Sequence, residues 1–129
     1  MEKKNIPQII QDVGFDFRWK SEKVWQLDVP TAPMNIEKLT WHFDIPFLRI
    51  NDGAYNLTPR AVMESPEQYS QEYERTMKAD MQYPIDIMEN KGRWLILDGL
   101  HRLMQASIKN LDTVNVRVIP REKIPDITA

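Results

Sequence analysis

The chain has 129 residues, a formal charge of −2, 42% hydrophobic residues and 28% charged residues. That balance predicts one soluble domain over residues 1–129, large enough to bury a core without staples. No cysteine is present and only two histidines, His42 and His101, which excludes disulfides, thiolate zinc sites, iron–sulfur clusters, a cysteine nucleophile and a multi-histidine metal site. The acidic balance also speaks against direct nucleic-acid binding, which relies on excess Lys and Arg. No apolar run reaches the roughly 18 residues of a membrane span and no signal-peptide core opens the chain, so a cytoplasmic protein is expected. The four glycines form neither a phosphate-binding P-loop nor a dinucleotide fingerprint.

Ile6, Ile9, Ile10 and Val13 are spaced as one face of a short helix, with Asn5 as cap, Pro7 in the first turn and Gly14 at the end. Trp25 to Val29 is expected to be a strand entering the loop at Pro30 and Pro33, and Phe47 to Ile50 a short strand ended by the turn Asn51-Asp52-Gly53. Thr58-Pro59 opens a short helix. Ser65-Pro66-Glu67-Gln68 opens a longer one with a capping-box pattern, and Tyr69, Tyr73, Met77 and Met81 give it an apolar stripe facing the core. Ile85 to Met88 and Trp94 to Leu97 flank Glu89–Arg93 as a hairpin. The second of these strands is apolar on both faces, so it is expected at the centre of a sheet. Leu100 to Asn110 follows as a helix, and Val114, Val116 and Val118 as a half-buried strand in a compact crossover unit. The fold class is α+β, a small mixed sheet with helices.

Chemistry concentrates in Asp98-Gly99-Leu100-His101-Arg102, between a strand end and a helix start. Free N–H groups and the dipole at a helix N-terminus favour an anion, most often phosphate. Gly99 lets a ligand approach the backbone, and Arg102 can fork two phosphate oxygens. His101 can donate to phosphate or move a proton near neutral pH. Asp98 can cap the helix, hold Mg²⁺ or orient His101. The same residues also suit a plain cap and turn, and the chemistry alone leaves both readings open. His42, within the aromatic run Trp41 to Asp44, reads as a buried, hydrogen-bonded histidine before a catalytic one. Trp94 reads as core before a base-stacking ring. Lys91 and Arg93 read as solvated turn charges.

Taken with its flanks, this segment resembles the ParB/sulfiredoxin superfamily: the strand from Trp94, the turn up to Arg102, the helix Leu103 to Asn110, the strand Val114 to Ile119, and Tyr83-Pro84-Ile85-Asp86-Ile87 as a "P-I-x-V" strand. Residues 83–120 carry the resemblance. It implies a ParB/sulfiredoxin-like fold whose turn binds the phosphates of a nucleotide (ATP, ADP or CTP), with Mg²⁺ at Asp98 and Gly99, Leu100, His101 and Arg102 around the phosphates. The implied activity is small-molecule phosphotransfer or nucleotide hydrolysis. Leu100 stands where sulfiredoxins carry their cysteine, so sulfinic-acid reduction is excluded. Free-serine kinases of the superfamily share a DGHHR box and use a glutamate after an "I-x-x-L" segment. Ile36-Glu37-Lys38-Leu39 is similar, and Asp44 lies one position beyond the corresponding site, as candidate base beside Asp98 and His101; Glu37 is expected on the solvent face. The alternative is a non-catalytic ParB-like module that binds a protein partner in a partitioning or phage-associated system.

Overall fold

A computed structural model describes residues 6–129. Its elements run α1 (Gln8–Val13), α2 (Ser21–Trp25), β1 (Thr31–Asn35), α3 (Pro59–Glu64), α4 (Ser70–Met77), β2 (Ile85–Asn90), β3 (Arg93–Asp98), α5 (Leu100–Ile108), β4 (Thr113–Val118) and α6 (Ile124–Ile127), with 3-10 turns between β1 and α3 and before α6. The architecture is α+β, as expected from the sequence. The four strands form one mixed sheet in the order β1-β4-β2-β3. β4 pairs parallel with β2 and antiparallel with β1, while β2 and β3 form an antiparallel hairpin.

The hairpin forms where the pattern placed it. Lys91 and Gly92 both have positive φ, 53° and 81°, as a two-residue turn matched to strand twist demands. Ile87 pairs with Ile96 but Asp86 pairs with Asp98. β3 therefore carries one extra residue, a bulge just before the Asp98–Gly99 turn.

Side chains alternate across β2. Ile85 and Ile87 enter a core with Leu39, Phe43, Val62, Leu103, Met104, Val114 and Val116. Met88 enters the second, with Val24, Leu97, Ile119 and Ile127, so the sheet is covered on both faces.

Several expectations are corrected. β3 is an edge strand, not a central one. It is apolar on both faces because Trp94 and Ile96 pack on one core and Leu97 on the other, and side chains close part of its outer edge. His42 Nε2 accepts from the Ile96 N–H at 3.1 Å, and Trp19 Nε1 donates to the Leu97 carbonyl at 3.1 Å. The segment Trp25 to Val29 is not a strand. Its first residue ends α2, and the strand lies later, at Thr31–Asn35, where Pro33 is tolerated because β1 is an edge.

The helix expected from Ser65 begins at Ser70, with no side-chain cap bond; Pro66 to Tyr69 form turns instead. Phe47 to Ile50 shrinks to one bridge, Leu48 with Leu57. In α1 only Ile10 is buried, while Ile6 and Ile9 are exposed; the Asn5 cap lies outside the described residues. In β4 the alternation breaks at its end: Val118 is exposed and Arg117 buried. Arg117 Nε donates to Asp86 Oδ1 at 2.7 Å, and its other nitrogens donate to the carbonyls of Leu27 and Val24. The crossover from β3 through α5 also passes over β2, so β4 is not β3's neighbour.

Candidate functional site

The turn after β3 is set by Gly99, which sits at φ 117° as the N-cap of α5. A Cβ there would lie 3.1 Å from Ile85 Cγ1 and 3.2 Å from Ile85 Cα, so a close crossing of backbones adds to the need for glycine. Asp98 does not cap the helix; no side chain does. The first turn's N–H groups, from Leu100, His101 and Arg102, make no hydrogen bond among the described residues. Leu103, Met104 and Ala106 bury the opposite face of the helix, which holds this open end at the surface.

Two of the turn's charged groups face each other. Arg102 Nη1 donates to the Pro84 carbonyl at 2.9 Å and lies 3.8 Å from Asp98 Oδ2. Its Nε and Nη2 have no partner among the described residues, leaving one edge of the guanidinium open for a forked contact. Asp98 Oδ2 also accepts from Trp25 Nε1 at 2.8 Å. The Arg102 guanidinium stands 5.8 Å from the centre of the Tyr83 ring. Trp25 and Tyr83 remain 57% and 56% exposed, so two exposed aromatic rings flank the pair.

His101 contacts α4. Its Nε2 lies 2.9 Å from Glu72 Oε1, and Arg75 Nη1 donates to Glu72 Oε2 at 3.1 Å. Thus Glu72, not Asp98, orients His101. The two helices are keyed by a second rung four residues along each. Gln105 Nε2 donates to the carbonyls of Thr76 and Ala79, satisfying the end of α4, and Thr76 is buried against Met104. A shallow depression of about 730 Å³ is lined by Gln71, Glu74, Arg75, Lys78, Ala79 and His101. Glu72 and Arg75 also border a second one, of about 340 Å³, with Arg49 and Tyr55.

The remaining candidates lie apart from this cluster. Asp44 is exposed and held by a two-pronged bond from Arg60, which draws its carboxyl below the usual range. It makes no hydrogen bond or ion pair with the 98–102 turn. His42 is buried and donates from Nδ1 to the Leu39 carbonyl at 2.7 Å; burial lowers its pKa to about 4. Trp94 packs against the core and Glu37 is exposed. Lys91 and Arg93 are less free than expected: Lys91 Nζ donates to the Gln11 carbonyl, and Arg93 lies over the Trp41 ring at 4.6 Å. Among the described residues no three His, Asp or Glu gather as a metal site. Asp98 Oδ1 is a single open carboxylate oxygen, which suits Mg²⁺ carried in by phosphates rather than a resident ion.

Sequence reading missed Glu72, Arg75, Trp25 and Tyr83. Glu72 and Arg75 lie off the apolar stripe of α4, where nothing distinguishes them from solvated charges.

No protein-family model and no curated protein matches the chain. It is similar to a solved sulfiredoxin structure from Arabidopsis thaliana, at 20% identity and a TM-score of 0.38 over 74% of this chain and 93% of that one. No helix among the described residues is long and apolar enough to cross a membrane.

Proposed function

We propose that the Asp98–Arg102 turn binds the phosphates of a nucleotide (ATP, ADP or CTP) in support of phosphotransfer or hydrolysis. One observation carries this reading: the uncapped first turn of α5 lies beside the open Nε–Nη2 edge of Arg102. Amide donors, helix dipole and guanidinium then converge on one anion. Asp98 Oδ1 contributes a ligand to Mg²⁺ held mainly by the phosphates. Either exposed ring, Tyr83 or Trp25, offers a face to the base.

Calorimetry with ATP, ADP and CTP, with and without Mg²⁺, tests the reading. Binding is expected, and Arg102→Ala should weaken it about tenfold to a hundredfold, the value of a charge-assisted hydrogen bond. No heat from any nucleotide at millimolar concentration would sink it.

The same two exposed rings favour a second reading, a non-catalytic module docking a protein partner, since aromatic side chains dominate such contacts. In that case Trp25→Ala and Tyr83→Ala abolish partner capture while nucleotides bind neither variant nor parent.

A further inference from the structure

Glu72 and His101 are brought together by no motif, yet their contact fixes a protonation pattern. An ionised carboxylate only accepts hydrogen bonds, so the proton at the 2.9 Å contact belongs to His101 Nε2. Neutral imidazole carries one ring proton, and Nδ1 is left with its lone pair and no partner among the described residues. Glu72 is itself held. Arg75 takes its second oxygen at 3.1 Å, and its side chain is only 14% exposed against 26% for His101. The ring borders the larger depression, where Arg75 and Lys78 bring positive charge, Glu74 a carboxylate and Gln71 a polar wall. The next residue along α5 is Arg102, at the proposed phosphate position.

From this arrangement we infer that His101 Nδ1 is a general base for an oxygen nucleophile, water or an alcohol, seated in that depression, and that Glu72 is its positioning residue. The inference rests on the nucleotide reading above. In the step, the nucleophile's O–H gives its proton to Nδ1 as its oxygen bonds to the terminal phosphorus. The bond from that phosphorus to its bridging oxygen breaks, and the electron pair leaves with the shortened nucleotide. His101 becomes imidazolium between the Glu72 carboxylate and the new product, and releases the proton to solvent. Glu72 holds the tautomer and stabilises the imidazolium, as a carboxylate behind a catalytic histidine does. Asp44, tied to Arg60 elsewhere, has no part in it.

Two measurements on the full chain test this. Long-range ¹⁵N–¹H spectra of the free protein report the tautomer. His101 should show a protonated Nε2 at pH 8 in the parent and lose that bias in Glu72→Ala. A protonated Nδ1 in the parent would overturn the inference, whatever the nucleotides do. The second is release of inorganic phosphate from Mg²⁺-ATP and Mg²⁺-CTP, with and without glycerol as a probe alcohol. Faster nucleotide consumption with glycerol phosphate appearing identifies an alcohol acceptor, and unchanged phosphate release identifies water.

His101→Gln should lower kcat at least about a hundredfold, the low end for a positioned base. Glu72→Gln should lower it about tenfold or more while keeping the nucleotide Kd within about twofold. Glu72→Asp should recover part of the Glu72→Gln loss. Parent protein that binds nucleotide without turnover, or Glu72→Gln that keeps full kcat, overturns the base assignment and leaves the binding reading intact. Parent protein that binds no nucleotide overturns both.

Discussion

Both ring nitrogens of His42 are committed to backbone groups, Nδ1–H to the Leu39 carbonyl and the Nε2 lone pair to the Ile96 N–H. Protonation would place a donor where the Ile96 N–H already points, inside a ring stack with Trp41 at 3.9 Å. The folded group titrates near pH 4 and the free imidazole near 6.5. Between those values the unfolded chain binds the extra proton, so His42's share of stability is complete above pH 6.5 and is lost as pH falls toward 4. The whole loss is about 3 kcal/mol at 1.36 kcal/mol per pKa unit. Urea unfolding of the parent and His42→Gln at pH 7.5, 6, 5 and 4.5 checks it. The difference in unfolding free energy should shrink steadily with acid, and a constant difference would refute the account. Gly99 and Gly92 make a second test at this scale. Both have positive φ, but a Cβ at Gly92 meets nothing within 4 Å while one at Gly99 strikes Ile85. Gly92→Ala should cost about 1–2 kcal/mol from backbone conformation alone. Gly99→Ala should cost more, up to about 3 kcal/mol with the added strain, visible as the larger drop in Tm.

Among the elements, the link between β4 and α2 depends on one buried guanidinium. Arg117 gives Nε to Asp86 and its two terminal nitrogens to the last carbonyls of α2 and the loop after it. Burial pushes the Asp86 carboxyl upward and the Arg117 bond pulls only part of that back. Arg117→Ala leaves a buried carboxylate and two carbonyls without donors, and should cost about 3–5 kcal/mol by urea unfolding. Asp86→Leu with Arg117→Met should be milder than Arg117→Ala, because no charge remains stranded. A double variant worse than the single would refute that logic. This pair also marks where the sequence stops being legible. The hairpin, α5 and the open turn at Asp98 were readable, because turn residues and apolar spacing act locally. Arg117 was read as the polar half of an alternation, since its partners lie 31 to 93 positions away. β3 was read as central for a related reason. Two apolar faces reveal burial on both sides, but His42 and Trp19 rather than a fifth strand meet its outer edge. Glu72 is a polar residue on an amphipathic helix, and only the Gln105 and Thr76 contacts determine that it faces His101.

At the scale of the whole molecule, the two ends of the described chain close one face of the sheet together. Trp19 bridges Thr128, Lys20 N–H donates to the Ile127 carbonyl, and Ala129 N–H donates to the Arg18 carbonyl. Ile127 is fully buried there with Val24, Met88 and Ile119. Removing residues 124–129 should therefore cost at least about 2–5 kcal/mol, the loss of one buried isoleucine with its cavity. Hydrogen exchange should then rise at residues 18–27 while the Leu103–Ala106 face of α5 stays protected. Protection lost equally everywhere would mean the two cores are one cooperative unit. The strand order has a consequence of another kind. β4 lies between β1 and β2, yet it follows both of them in the chain. As the chain leaves the ribosome, β1 must wait through some eighty residues for any hydrogen-bonding neighbour, at synthesis rates of roughly 5–20 residues per second. Once complete, the Ile85–Asp98 hairpin exposes the edge that β4 will occupy for the roughly fifteen residues before Thr113. The nascent protein is most open to mispairing with another copy just before Thr113 emerges, and a chaperone that shields bare strand edges would act on it then.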